Sequence, residues 1–148
     1  MAINTSKVVV GGLAAGLVMN VLDFLVNGML MGPKMQAEMV AAAPTLAGKG
    51  MTGGAIAAHV ITDFIVGILI VWIYAAIRPR FGPGAGTAIK AGLVIWICGL
   101  LFYQDWLHMG LMTGSSYAII SVIQLIIVSL AAWVGAWLYK EEGAPAMA

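Results

Sequence analysis

Four long apolar runs, broken by short clusters of glycine, proline and polar residues, make up most of the chain. The hydrocarbon core of a bilayer is about 30 Å thick, and a helix crosses it with about 20 apolar residues. Runs over roughly 8–31, 53–77, 88–112 and 117–139 meet that length. The breaks have physical causes. Gly32-Pro33 is expected to end the first span, and Pro79 with Gly82-Pro83-Gly84 the second. Thr113-Gly114-Ser115-Ser116 separates the third from the fourth, with Ser115 or Ser116 as the expected helix cap. The longest connection, Pro33 to Thr52, predicts one short helix over Lys34–Ala43, lying at the interface and ended before Pro44. The tail Glu141–Ala148 is expected to fray. The pattern predicts an all-α fold: a single integral membrane bundle of four transmembrane helices.

Composition supports lipid as the solvent. Of 148 residues, 62% are hydrophobic and only 9% charged, where soluble domains average about 25% charged. A net charge of +1 without a basic cluster gives no footprint for nucleic acid. Lys7 followed by an apolar run looks faintly like a signal peptide. The run lacks a clean small-x-small cleavage site and contains Asn20 and Asp23, so it reads as the first span. Cys98 is the only cysteine, which rules out an intramolecular disulfide. Lys7, Arg78, Arg80, Lys90 and Lys140 fall on one side of the membrane, Lys34 and Lys49 on the other. That bias predicts both ends and the Arg78–Lys90 turn inside.

Polar residues inside the spans form a layer. From each basic residue into its helix, Lys7 to Asp23 is 16 residues, Asp63 to Arg78 is 15, Lys90 to Asp105 is 15 and Gln124 to Lys140 is 16. At about 1.5 Å per residue, the four side chains lie at one depth, beyond mid-membrane. Asn20 and Asn27 flank Asp23 at helical spacing, His59 precedes Asp63 by four, His108 follows Asp105 by three, and Ser121 precedes Gln124 by three. Residues three or four apart share a helix face, and an ionisable group facing lipid costs about 2.5–3.5 kcal/mol or more. These faces, with Gln104 beside Asp105, are therefore expected to point into the bundle.

Three functions are compatible with such a layer. Asn20, Asn27, Gln104, Ser121 and Gln124 suit interhelical hydrogen bonding in a non-catalytic subunit, within a homo-oligomer or a larger membrane complex. Imidazole and carboxylate suit a transition metal, with Asp23, His59, Asp63, Asp105 and His108 as candidate ligands. His59 and His108, at nearly equal height on neighbouring spans, are candidate axial ligands for haem b. Seven of ten methionines lie toward the same side, which would suit copper but is better explained by gap-filling packing. Intramembrane carboxylates also mark proton- or ion-coupled carriers. No catalytic motif of a soluble enzyme is present: G-x-S-x-G, the P-loop and H-E-x-x-H are all missing.

Small-residue pairs Gly12/Gly16, Gly54/Ala58 and Ala132/Ala136 permit close helix approach. Trp137 and Tyr139 fit the inner interface and Trp106 the outer half. Asp23-Phe24-Leu25, Asp63-Phe64-Ile65 and Asp105-Trp106-Leu107 repeat a triplet, and laying Asp63 on Gln124 brings Trp72 onto Trp133. A duplicated helical hairpin would explain both, as would coincidence in an apolar sequence. The stretches at 12–24, 77–84 and 135–141 resemble small uncharacterised bacterial integral membrane proteins with four predicted spans. The resemblance implies that layout and no activity.

Overall fold

The computed structural model describes residues 3–140; the tail from Glu141 lies outside them. Among the described residues there are five α-helices, four of them long and apolar enough to cross a membrane. Helix α1 (Thr5–Asp23) is capped by Asn4, whose side chain accepts from the Lys7 N–H. At Phe24 the chain widens into a π-helical segment through Leu30, closed by Met31 N–H donating to the Val26 carbonyl at 2.7 Å. Helix α2 (Gly32–Ala42) follows at once. The first span thus ends at Leu30, just before Gly32-Pro33, and a separate helix begins there. Pro33 sits in the first turn of α2, where an N–H would have no helical partner anyway.

Helix α3 (Gly53–Phe81) is capped by Thr52 and runs through Pro79. So close to the C-terminal end, the proline forfeits little of the hydrogen-bond ladder. The actual stop is Gly82, at φ 79°, a left-handed conformation that favours glycine. Helix α4 (Ala85–His108) ends short of Met112, because Gly110 at φ 72° turns the chain. Helix α5 (Gly114–Leu138) is capped by Thr113, whose hydroxyl accepts from the Ser116 N–H, and not by either serine.

Helix α1 packs against α3 and α5, α4 packs against α5 and α3, and α3 touches α5 across the middle. Where α1 meets its neighbours, backbone lies on backbone. A Cβ at Gly67 would run into the Gly12 carbonyl and the Gly16 amide. One at Gly12 would meet the backbone of Ile68, and one at Gly11 the Gly135 carbonyl. Of the small-residue pairs, Gly12/Gly16 and Ala132/Ala136 are buried inside the chain, whereas Gly54 and Ala58 are exposed.

The core sits almost wholly toward the end of the bundle that carries Lys7, Arg78 and Lys90, here the basic end. Helix α1 buries Val8 to Met19, α3 buries Gly67 to Ala75, and α4 buries Thr87 to Gly92. Beyond these, toward the far end, α3 and α4 have no fully buried position. Tyr139, expected at the inner interface, is 3% exposed, edge-to-face with Tyr74 and under the Arg78 guanidinium. Trp137 is exposed. The shift of 61 that lays Asp63 on Gln124 also lays buried Gly67, Ile70, Val71, Tyr74 and Ala75 on buried Val128, Ala131, Ala132, Gly135 and Ala136.

The glycine contacts give a direct test. Gly67→Ala should destabilise the protein by about 1–3 kcal/mol, because packed backbone cannot retreat from a methyl group. Gly99→Ala, with nothing within 4 Å of the added carbon, should be tolerated. Denaturant titration of the two variants in detergent compares them; equal stability would refute the account.

Candidate functional site

The polar residues of the spans gather around one side chain. Asp23, the last residue of α1, offers Oδ1 to two amide donors: Gln124 Nε2 from α5, and Asn27 Nδ2 from the π-helical segment at 2.7 Å. The π segment begins directly after Asp23, a feature frequent at functional sites. Asp63 and His59 of α3 and Tyr103 of α4 lie close enough to interact electrostatically with the Asp23 carboxylate. All four spans thus contribute to the surroundings of Asp23.

The other members of the layer have separate duties. Asn20 donates to the Gly16 carbonyl at 2.9 Å and across to the Val60 carbonyl of α3 at 3.3 Å. Ser121 donates its hydroxyl to Tyr117 of its own helix, and its carbonyl accepts from Trp96 Nε1 of α4 at 2.8 Å. The Tyr117 hydroxyl in turn donates to the Leu100 carbonyl, at 3.1 Å. Gln104 is half-buried. These contacts tie α1 to α3 and α4 to α5 in the half of the bundle that lacks a packed core.

Three ionisable residues of the layer, His59, Asp105 and His108, are exposed, and two of them, Asp105 and His108, stand apart from Asp23. The side chains of Asp105 and His108 have no hydrogen bond or ion pair with the described residues. Among the described residues no three His, Cys, Asp or Glu side chains converge as a metal site would require. The inward-facing layer expected from spacing is therefore met by Asp23, Asn27 and Gln124, while Asp105 and His108 lie on an outer surface. The reason is geometric: the depth count fixes height but not azimuth, and α4 turns only part of its circumference toward α5 and α3. Cys98 is likewise exposed, within an apolar run.

One functional contact lies outside the layer. Glu38 of α2 accepts from the Thr113 N–H at 3.0 Å, the Thr113 hydroxyl at 2.9 Å and the Ser116 hydroxyl at 2.7 Å. Lys34 Nζ lies 3.9 Å away, one turn earlier. A carboxylate at the N-terminus of a helix is favoured by its unpaired amides and dipole. Here the carboxylate comes from 75 residues upstream, so α2 is fastened across the end of the bundle to the α4–α5 turn. The clue in sequence was a Glu in an amphipathic connector and a Thr-x-x-Ser start, and nothing in spacing alone joins them.

No known protein family matches the sequence, and no curated protein or solved structure matches it either.

Two outcomes follow. The Thr113 N–H, with the Ser116 hydroxyl next, holds the Glu38 carboxyl below its ordinary range. A depressed folded value means that the contact stabilises above the ordinary glutamate range and is lost as pH falls through that lower value. The Thr113 amide resonance, followed by NMR from neutral pH downward, should titrate with a midpoint below the ordinary one. A midpoint at or above it would sink the assignment, and Glu38→Gln should abolish the transition. Separately, a double-mutant cycle of Asp23→Leu and Gln124→Leu should show a coupling of about 0.6–1.7 kcal/mol. Additive effects would mean that the bond holds nothing.

Proposed function

We propose that this four-span membrane protein is a non-catalytic subunit that assembles, through faces left exposed within the bilayer, with copies of itself or with other membrane subunits. Its place would be the bacterial cytoplasmic membrane, with the basic end and both termini inside, as the distribution of Lys and Arg favours. One observation carries the reading: Asp105 and His108 stand exposed, without a partner among the described residues, on a helix that spans the membrane. They lie in the last turn of α4, near the membrane's outer edge, where such groups still cost more than in water but less than the about 2.5–3.5 kcal/mol of a carboxylate at mid-span. A protein neighbour would remove that cost. The polar cluster around Asp23 then serves to fix helix register where apolar packing is thin.

The metal and haem alternatives draw less from the geometry. His59 and His108 are both exposed, and the candidate ligands do not converge in groups of three among the described residues. A carrier would use the pair Asp23 and Asp63, but Asp23 is already held by two amides from within the chain.

Native mass spectrometry of the full chain, released from membranes without harsh detergent, tests the proposal. A mass of more than one subunit, reduced to a single chain by Asp105→Arg, is expected. A wild-type protein that leaves the membrane as a single chain without partners would end the subunit reading.

A further inference from the structure

Charge is divided between the two ends of the bundle. The carboxylates of the described residues, Asp23, Glu38, Asp63 and Asp105, all lie in the far half, whereas Lys7, Arg78, Arg80, Lys90 and Lys140 lie at the basic end. Glu141 and Glu142 follow Lys140 directly in the sequence, but no acid stands anywhere between Asp63 and Asp105. The α3–α4 turn, inside that stretch, is therefore one-sidedly cationic. Two of its cations are brought to one place. Lys90 is in the second turn of α4, yet its side chain reaches back to put Nζ 4.4 Å from the centre of the Phe81 ring, at the end of α3. Long basic side chains inside a span do this to keep the charge at headgroup level. Arg80 is the neighbour of Phe81 in the chain. Both cations are exposed, and neither meets a carboxylate among the described residues. Arg78 is engaged elsewhere, over the Tyr139 ring. The turn is braced from both sides: the Thr87 hydroxyl donates to the Gly82 carbonyl at 2.8 Å, and the Gly84 N–H donates to the Tyr74 hydroxyl at 3.3 Å. Space is open beside it, since a Cβ at Gly82, Gly84 or Gly86 would have nothing within 4 Å.

We infer that this turn seats the headgroup of an anionic phospholipid, with Arg80 and Lys90 as its counter-charges. The end of a membrane-spanning helix lies at headgroup level, where lipid phosphates are concentrated. A zwitterionic lipid carries an amine that cancels its phosphate. An anionic lipid keeps a net charge, and each Lys or Arg close to it adds to the attraction. The Arg80 guanidinium suits two phosphate oxygens at once, while Lys90 supplies a compact point charge. Exposed Phe81 beside them is an apolar surface for the first carbons of the lipid chains. A bias of Lys and Arg toward one side sets the orientation of a membrane protein and requires no bound lipid. What singles out this turn is a pair of exposed cations on a braced support, with no acid of the described residues to neutralise them. The inference stands on the four-span fold and the placement of charge, so it holds whether or not the chain is a subunit of an assembly.

The full chain in mild detergent is titrated separately with dioleoyl phosphatidylglycerol and dioleoyl phosphatidylcholine, and native mass spectrometry reads the affinity of each lipid. The wild type should bind phosphatidylglycerol more tightly, by about fivefold or more. Arg80→Gln and Lys90→Gln should each weaken phosphatidylglycerol by about fivefold, the weight of one cation near an anionic headgroup, and together by about tenfold or more. Their affinity for phosphatidylcholine should not change. Arg80→Lys with Lys90→Arg, which keeps both charges, should keep the preference, and so should Lys34→Gln with Lys49→Gln at the far end. Equal affinity of the wild type for the two lipids would overturn the inference, as would a preference that survives the loss of both cations. A charge-keeping variant that loses the preference as fully as the glutamine variant would show that charge is not what binds. Displacement of phosphatidylglycerol by sodium phosphate, beyond that by sodium chloride at equal ionic strength, would make this a site for a soluble anion and overturn the lipid as its occupant.

Discussion

Everything in the basic half of this bundle depends on α1 lying directly against the backbones of α3 and α5. In a bilayer the hydrophobic effect does not drive helices together, because lipid tails are as apolar as leucine. What remains is dispersion at short range and hydrogen bonding, and dispersion decays within an ångström of contact. Gly11, Gly12 and Gly16 on α1, Gly67 on α3 and Gly135 on α5 remove the side chains that would hold the helices apart. The buried alanines of α4 and α5 continue the same device, and large side chains are left to face outward.

The far half is held by different means. There α3 and α4 have no buried position, and the bonds from Asp23 to Gln124, from Asn20 to Val60 and from Trp96 to Ser121 supplement the thin packing. Each is modest, about 0.6 kcal/mol on average in a membrane, but each fixes a height at which two helices must meet. Helix α2, fastened through Glu38, closes the same end. The molecule is thus tight at one end and loosely tied at the other, and the exposed Asp105 and His108 are at the loose end. That distribution is what makes assembly with a neighbour the economical reading of its role.

Much of the fold was legible in the sequence because lipid imposes a coarse rule: length and apolarity alone define a span. The four spans and the connecting helix between Pro33 and Thr52 follow from it. Their ends were less legible. Pro79 and Pro33 mark stops in most contexts, yet one lies within two residues of a helix end and the other in a first turn, where each is tolerated. The polar layer was readable in depth, since 1.5 Å per residue is a reliable ruler. It was not readable in azimuth. Asp23 and Asp105 have the same count from the basic belt to within one residue, but one faces Gln124 and the other faces outward. The π-helical turn after Asp23 had no signal of its own, and the Glu38 cap joins residues whose nearness only the fold creates.

The bond between Asp23 and Gln124 spans 101 residues, and that between Asp23 and Asn27 spans four. Helices enter a membrane in the order of their synthesis. The first carries its carboxylate into the bilayer with only the local amide for company, and the second amide arrives with the last helix. The Asn27 bond needs only α1 and the turn that follows it, whereas the Gln124 bond needs the last span as well. Asp23 therefore keeps one amide partner in any fragment that includes Asn27 and gains the second only where α5 is present.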